Sequence, residues 1–320
     1  MKVIFIENEF LKIGILAGRG SDIFQLIYKP VGIDLMLRLD KDILNPGEMF
    51  SQMRNTPNQF EDYYYGGWQE ILPNSPAMDY RGVSLGQHGE VSLIPWEYAI
   101  LNQSDDEVSL KLWTRPLRYP ILVEKILTLK KGSAKLQIDE TLTNESDTKL
   151  HLMWGHHIAF GLPFLKEGAT IKTSATKFVA EKAMPDPRVF KPGLVQDWPL
   201  VDTIDNKKID ASRIVKLGAD KFSELSYLND FKADAFYSIT SDVMTFSVHF
   251  DKNVFRSIWY WQERYASQDA PWWGKTYAIA LEPWTNNWTE KPTLATIEKD
   301  WLKFEPRQIL QTTLTTECNH

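Results

Sequence analysis

The stretch EVSLKLWTRPLRYPILVEKILTLKKGSAKLQIDETLT, residues 107–143, decides the fold class. Within it, residues 107–114, 121–130 and 134–143 alternate apolar and polar side chains with a period near two, which is typical of half-buried strands. The turn Lys131-Gly132-Ser133 joins the last two segments. This part of the chain therefore predicts three strands, of which the last two form a hairpin.

The same pattern continues along most of the chain. Further strands are predicted at residues 2–6, 11–17, 23–28, 91–101, 148–154, 234–239, 243–250, 256–261, 276–282 and 308–315. One helix is expected near residues 292–303, where apolar residues recur on one face. Many antiparallel strands with little helix indicate a sandwich or barrel. Because no linker or internal repeat divides the chain, we expect one all-β domain over residues 1–320.

Two segments lack a strand pattern and are rich in turn-forming residues. Residues 40–62 carry Asn45-Pro46-Gly47, and residues 184–212 are rich in Pro, Asp and Lys. Long excursions from a compact domain are often functional rims. We expect both segments to lie on the surface.

Composition narrows the class of protein. The 320 residues are 43% hydrophobic and carry a net charge of −6 without a basic stripe, which argues against nucleic acid as the partner. The one cysteine, Cys318, excludes a disulfide framework and a thiolate metal cluster. No signal peptide is evident, and no apolar run approaches the ~18 residues that would span a membrane. A cytoplasmic protein that does not enter a membrane is the simplest interpretation.

The segment Leu281-Glu282-Pro283-Trp284 is the first candidate for chemistry. Glu282 ends an apolar run that begins at Tyr277 and reads as a buried strand. Several tryptophans lie close to it in sequence: Trp259, Trp261, Trp272, Trp273 and Trp288. A carboxylate among indoles is desolvated, so its pKa should rise toward the range useful for proton transfer. Flat indole faces also suit the C–H faces of a sugar ring, although most of the 12 tryptophans are expected to be core.

Two histidine segments are the second candidates. Gly86-Gln87-His88-Gly89-Glu90 would present His88 from a tight loop, or contain only a solvated turn histidine. Trp154-Gly155-His156-His157 ends a strand, where adjacent side chains face opposite sides, so only one of the two histidines can point into a given pocket. A histidine titrates near neutrality and suits proton donation. His151 is expected to be a core histidine bonded to a backbone carbonyl.

Other acids compete with Glu282. Asp139, Glu140 and Glu124 lie in the hairpin strands and are expected to be solvated, whereas Glu263 remains a rival. Other catalytic templates fail, because the chain has no G-x-S-x-G elbow, P-loop or H-E-x-x-H motif.

A cupin-like metal site is a weaker alternative. It would combine the histidines His88, His157 and His249 with the carboxylate of Glu282. The His-x-His cluster that normally supports such a site is missing. No metal site is therefore predicted.

Taken in order, these segments resemble the galactose mutarotase-like (aldose 1-epimerase) family. His88-Gly89 is similar to the family's first histidine motif, and Gly155 to Phe160 is similar to its second, which aligns the functional histidine with His157. Leu281 to Trp284 is similar to the motif that carries the catalytic base, and Gly66 to Pro73 to a segment upstream of the first histidine. The resemblance spans roughly residues 10–315.

The resemblance implies a β-supersandwich of mostly antiparallel strands with minor helix, whose concave face holds a sugar. It implies interconversion of the α and β anomers of an aldose, with Glu282 as base and His157 as acid. His88 would orient the sugar; the other expected substrate contacts are Arg115, Trp259, Trp272 and Gln69. Neither a metal nor an organic cofactor is required. The family's substrate-binding arginine has no clear counterpart, because neither Arg54 nor Arg81 lies in a matching motif.

Two other functions remain open from the sequence. The protein could be a non-catalytic sugar-binding protein on the same scaffold. It could also be another carbohydrate-active enzyme, a lyase or a hydrolase, although a hydrolase usually needs two carboxylates. Glu263 or Glu70 would have to supply the second one. In each case the expected partner is a small sugar, bound by a monomer or homodimer.

Overall fold

The computed structural model describes residues 1–46, 58–216, 218 and 221–320. Within these residues the chain forms two large sheets, three two-stranded sheets and two short helices. All the pairings between named strands are antiparallel, so the predicted all-β class with minor helix is confirmed. Neither described helix is long and apolar enough to cross a membrane.

The first large sheet, called sheet I, has eleven strands among the described residues. They are β1 (Ile4–Glu7), β2 (Leu11–Leu16), β3 (Asp22–Tyr28), β4 (Ile33–Asp34), β5 (Trp68–Ile71), β13 (Gly155–Phe160), β15 (Ala175–Ala180), β16 (Val195–Asp197), β20 (Phe222–Phe231), β23 (Ser257–Arg264) and β24 (Tyr277–Trp284). The order across the sheet is β1-β2-β3-β5-β13-β24-β23-β20-β15-β16, with β4 paired to β3. The strands that carry the histidine and glutamate motifs are therefore neighbours at its centre.

The second large sheet, called sheet II, has nine described strands. They are β8 (Glu97–Gln103), β9 (Glu107–Thr114), β10 (Ile121–Lys130), β11 (Lys135–Asn144), β14 (Ala169–Thr173), β19 (Arg213–Ile214), β21 (Ala235–Thr240), β22 (Thr245–Phe250) and β26 (Ile309–Asn319). Their order is β19-β14-β21-β22-β26-β11-β10-β9-β8. The strands of the deciding stretch, β9 to β11, thus pair consecutively in this sheet.

The smaller elements complete the structure. They are β6 (Met78–Tyr80) with β7 (Val83–Leu85), β12 (Leu150–Leu152) with β25 (Leu302–Phe304), β17 (Leu200–Asp202) with β18 (Lys208–Asp210), and the helices α1 (Gln59–Tyr63) and α2 (Leu294–Asp300). A capping box between Thr293 and Thr296 begins α2, the predicted helix. Helix α1 was not expected from the sequence pattern.

Most predicted strands are confirmed, with shifts at their ends. Strands β9 and β10 keep the predicted bounds. The strand expected at 91–101 is wrong over its first half, because the backbone N–H groups of Leu93 and Ile94 turn back to Glu90 O, and pairing begins only at Glu97. The segment 184–212 contains short strand pairs, and residues 47–57 of the segment 40–62 lie outside the described residues.

A buried ionic network joins sheet I to sheet II. Lys125 Nζ on β10 lies 3.0 Å from Glu70 Oε2 on β5. His156 Nε2 lies 3.1 Å from Glu140 Oε2, and Trp68 Nε1 donates to His156 Nδ1 over 3.2 Å. The expectation that Glu140 is solvated is therefore wrong: its side chain is fully buried between the sheets, and this burial raises its pKa.

Candidate active site

A row of side chains crosses one face of sheet I in register, and this face is called the concave face after the expected fold. Gln69 is the cross-strand partner of His157, and Glu282 is the partner of Trp259. The pairing of β13 with β24 sets His157 opposite Glu282. Asp22 on β3 extends the row, since its Oδ2 accepts a hydrogen bond from Gln69 Nε2 over 3.4 Å. Directly opposed side chains lie close together, so the topology gathers polar groups from five strands along one line.

Glu282 and His157 form the centre of this row. His157 Nε2 lies 3.7 Å from Glu282 Oε1, and Trp284 Nε1 donates to the other carboxylate oxygen over 2.8 Å. Burial raises the pKa of Glu282 to about 8, and the bond from Trp284 opposes this rise. Burial lowers the pKa of His157 to about 4. Near neutral pH Glu282 is therefore a protonated carboxylic acid and His157 is a neutral imidazole.

Trp284 is held in place by the glycine of the second histidine motif. A Cβ on Gly155 would lie 2.1 Å from the Trp284 ring, so the indole packs where only glycine leaves room. The other face of this indole stacks on Trp259, with ring centroids 4.2 Å apart and planes inclined by 16°. The Trp284 N–H that holds Glu282 is thus fixed from both sides.

His88 approaches the pair from a strained turn. His88 and Gly89 both have left-handed backbone angles, φ 62° and 65°. A Cβ on Gly89 would lie 2.0 Å from Leu72 O, so the loop closely approaches the strand end after β5. The His88 ring lies 5.7 Å from that of His157, and its Nδ1 is 3.1 Å from Ser75 Oγ. Burial, and then the neighbouring His157, lower the pKa of His88 well below its usual range, so it is a neutral hydrogen-bonding group.

These groups open into a cavity of about 130 Å³, called the concave cavity. Its lining is Phe60, Glu61, Tyr64, Gln87, His88, His157, Leu225, Trp259, Trp261, Trp272, Glu282 and Trp288. Aromatic rings form most of its wall, and its volume is below the ~300 Å³ at which drug-sized pockets begin. The site is therefore suited to one small, ring-shaped polar molecule.

Helix α1 supplies cavity residues that the sequence analysis missed. Phe60 packs on both histidines, with its ring 4.5 Å from His88 and 5.5 Å from His157. Glu61 brings a second carboxylate to the cavity, accepts a hydrogen bond from Gln87 Nε2 over 3.1 Å, and has its pKa raised by burial. No local pattern marked this segment. Gln87, in contrast, lies inside the Gly86 to Glu90 motif and could have been named from it.

The remaining predicted contacts fall into two groups. Trp259 and Trp272 line the cavity, as expected for stacking residues. Gln69 lies beneath the surface, where its Nε2 donates to Gly66 O over 2.7 Å. Arg115 is 56% exposed after β9 and forms a bidentate pair with Glu145, so sheet II carries it away from the cavity. Gln69 and Arg115 therefore do not reach the concave cavity directly.

The rival acids and histidines have other partners. Glu263 accepts hydrogen bonds from the backbone of Ala266 and from Ser267, and so orders the loop after β23. Glu70 and His156 face the interior network, as strand alternation requires. His151 is buried, as expected of a core histidine, but its Nδ1 lies 3.4 Å from the Tyr80 hydroxyl, and among the described residues its imidazole has no bond to a backbone carbonyl.

The described residues offer little for a metal ion. They contain no group of three His, Cys, Asp or Glu side chains arranged to hold one. His249 of the cupin-like alternative lies on β22 of sheet II and stacks on Phe236. It is therefore on a different sheet from His157 and Glu282.

Residues 1–317 match a family profile described as a domain of unknown function (DUF4432). The chain belongs to the DUF4432 family. A search of curated protein sequences found no match to it.

Solved structures connect this DUF4432 protein with a known fold. It is similar to a Klebsiella pneumoniae protein described as a candidate aldose 1-epimerase, with TM-score 0.73 and 15% identity over 97% of this chain and 77% of the other. It is also similar to a galactose mutarotase-like protein from Lactobacillus casei, with TM-score 0.64 and 15% identity over 99% and 100% of the two chains. A galactose mutarotase related enzyme from Lactobacillus acidophilus matches with TM-score 0.62 and 16% identity over 100% and 98%. The predicted galactose mutarotase-like fold is thereby confirmed.

Proposed function

We propose that this protein is a carbohydrate isomerase that interconverts the α and β anomers of an aldose. The observation that carries the proposal is the His157–Glu282 pair, 3.7 Å apart and facing a small aromatic-walled cavity. Anomer exchange needs one base at the anomeric hydroxyl and one acid at the ring oxygen. A buried carboxyl beside an unpaired imidazole supplies both.

The pKa values exchange the roles expected from the sequence for ring opening, which made Glu282 the base and His157 the acid. With the pKa of Glu282 near 8 and that of His157 near 4, the pair enters the reaction as a carboxylic acid and a neutral imidazole. His157 Nε2 then takes the proton of the anomeric hydroxyl while Glu282 protonates the ring oxygen, and the C1–O5 bond breaks. The open aldehyde faces a carboxylate and an imidazolium.

Ring closure then restores the pair. After rotation about the C1–C2 bond, the Glu282 carboxylate takes the proton from the C5 hydroxyl, and this oxygen attacks the aldehyde. The His157 imidazolium returns its proton to the former carbonyl oxygen. Glu282 is therefore the acid of the opening half and the base of the closing half, which is the reverse of the order that the sequence assignment expected. Neither step consumes a cofactor.

Gln69 is proposed to orient His157 and not to bind the sugar. The two residues are cross-strand partners, and His157 Nδ1 and Gln69 Oε1 are both buried without a hydrogen-bond partner among the described residues. Gly66 O and Asp22 occupy the amide nitrogen, which leaves the Gln69 carbonyl free to accept. A bond from Nδ1–H to this carbonyl would keep Nε2 as the acceptor and stabilise the imidazolium of the open-chain state.

Anomer exchange measured by NMR on a panel of aldoses tests the function. The rate should follow a bell-shaped pH profile with apparent pKa values of the pair near 4 and 8. Below the lower value both groups are protonated and no base remains. Above the upper value the carboxyl proton is lost and no strong acid remains. Sugar binding without exchange across the panel would instead support the non-catalytic alternative.

The position of Glu61 supports a second candidate function, that of a hydrolase. Glu61 is a second carboxylate at the cavity, which the glycosidase mechanism requires. Nitrophenyl glycosides incubated with the wild type and with a Glu61→Gln variant decide between the two functions. Release of nitrophenol that disappears in the variant would favour a hydrolase. Anomer exchange that persists in Glu61→Gln, without nitrophenol release by the wild type, would favour the isomerase.

A further inference from the structure

A second cavity, of about 740 Å³, lies on the opposite face of sheet I from the concave cavity. It forms between the ends of β20 and β23 and the segment that runs through residues 187–213. On β23, Trp261 faces the concave cavity, while Gln262 and Arg264 line this second one. The two cavities are therefore separated by the thickness of a sheet, and the proposed isomerase chemistry uses none of the residues here.

Most charges around the second cavity already have partners. Asp205 Oδ2 lies 2.6 Å from Lys207 Nζ, and Asp210 Oδ2 lies 3.2 Å from Arg213 Nε. Arg188, also at this cavity, pairs with the buried Glu224 at 3.5 Å. The two carboxylates that line the cavity are thus matched to their own cations.

Arg264 is the exception. Arg264 is 5% exposed, and within the described ranges its guanidinium donates only to Gln262 Oε1, over 3.3 Å. The group lies 4.7 Å from the ring centroid of Phe222, its cross-strand partner, and Nε has no hydrogen-bond partner among the described residues. No ion pair of Arg264 or of the nearby Lys221 occurs within the described part of the chain. The cavity therefore has an unbalanced positive charge at its buried end.

A buried guanidinium without a counter-charge is costly, because desolvation is not repaid by pairing. Its planar donors match a carboxylate or phosphate group. Apolar side chains form a further part of the wall and include Val189, Ile204, Ile209 and Val215. We infer that this cavity binds a small organic anion, with its carboxylate or phosphate on Arg264 and its apolar body against these side chains.

Phenyl phosphate tests the inference by isothermal titration calorimetry, with benzyl alcohol as the uncharged probe. We expect saturable one-site binding of phenyl phosphate, weakened at least about tenfold in Arg264→Met, since a bond to a charged group typically contributes this much. Arg213→Met removes a cation that is already paired with Asp210 and should weaken binding less than about threefold. Benzyl alcohol should bind much more weakly than phenyl phosphate.

Arg264→Lys provides a variant that retains the charge if Arg264→Met does not fold. It should bind phenyl phosphate with lower affinity than the wild type. Phenyl phosphate should therefore raise the melting temperature of Arg264→Lys less than that of the wild type. Glu282→Gln should bind the probe like the wild type, which separates this site from the proposed isomerase site. Absence of phenyl phosphate binding to the wild type, or equal binding by wild type and a folded Arg264 variant, would overturn the inference.

Discussion

Adjacent histidines on the two faces of strand β13 differ in how completely their ring nitrogens are hydrogen-bonded. His156 faces the interior and has a partner at each ring nitrogen, Glu140 at Nε2 and Trp68 at Nδ1. His157 faces the concave cavity, with Nδ1 unpartnered among the described residues and Nε2 only 3.7 Å from Glu282. The satisfied His156 imidazole helps to hold the two sheets together, whereas the His157 imidazole, one residue away, keeps one nitrogen without a partner beside Glu282. The comparison teaches that burial alone does not distinguish the two histidines; the hydrogen-bond partners of their ring nitrogens do.

The largest expected effect on stability is at Glu140, which lies between the two sheets. Glu140→Gln leaves His156 and Lys125 in the sheet interface with one carboxylate fewer, and breaking a buried pair typically costs about 3–5 kcal/mol. We expect a loss of this size in the free energy of unfolding, measured by urea denaturation at pH 7. The anomer-exchange rate per folded molecule should stay within about threefold of the wild type. A large fall in this rate with unchanged stability would mean that the interior network takes part in the reaction.

Glu282→Gln, in contrast to Glu140→Gln, should increase the free energy of unfolding relative to the wild type as the pH rises. Because burial raises the folded-state pKa of Glu282 from 4.5 to about 8, the wild type loses stability as pH rises through this window. The glutamine variant does not carry this penalty, so its stability relative to the wild type should increase by a few kcal/mol between about pH 4.5 and pH 8. Urea denaturation of both proteins at several pH values measures the difference. A difference independent of pH would contradict the raised pKa.

Gly155→Ala tests the support beneath the pair. The added methyl would meet the Trp284 ring, so overpacking should cost about 1–3 kcal/mol and displace the N–H that holds Glu282. We expect lower stability by denaturation and a slower anomer exchange. Gly82→Ala is the control for a destabilising change far from the pair, because Gly82 has a left-handed φ of 87° that strains an alanine but open space around its Cβ position. The exchange rate of Gly82→Ala should be unchanged. An equally unchanged rate in folded Gly155→Ala would contradict the role of Trp284 in holding Glu282.

The smallest effect is expected at Gln69. Gln69→Leu removes the proposed acceptor for His157 Nδ1–H and should slow exchange about tenfold while moving the acid limb of the pH profile lower. Gln69→Glu keeps an acceptor and adds a negative charge, so the same limb should move higher. ¹⁵N NMR of His157 gives a signature that packing alone would not produce, since it separates the Nδ1–H from the Nε2–H tautomer. The same tautomer in wild type and Gln69→Leu would contradict the role of Gln69.

The sequence predicts much of this arrangement for identifiable reasons. Strict alternation defines β9 and β10, and the family resemblance, which rests on the order of the motifs, implies that His157 and Glu282 act at one site. Alternation also contains a signal that was overlooked. Glu140 shares the face of β11 that carries apolar side chains, and its cross-strand partner Lys125 does the same on β10. A charged pair on the shared apolar face of two adjacent strands predicts a buried pair and not a solvated one.

Other features depend on tertiary placement and have no local pattern. Phe60 and Glu61 reach the cavity only because α1 lies over the concave face. Arg115 looked suitable by position in the sequence, yet it belongs to sheet II and pairs with Glu145. Periodicity defines the faces of a strand, but not which distant segment covers them.

The central claim is tested most directly by the anomer-exchange rate of Glu282→Gln. This rate is measured by NMR and compared with that of Glu140→Gln under conditions where both variants are folded. Both substitutions turn a fully buried glutamate into glutamine, one on each side of sheet I. We predict that Glu282→Gln slows exchange by ~10²–10⁴-fold, the usual contribution of a general acid–base group, while Glu140→Gln changes it less than about threefold. Normal exchange in Glu282→Gln, or an equal loss in both variants, would contradict the account.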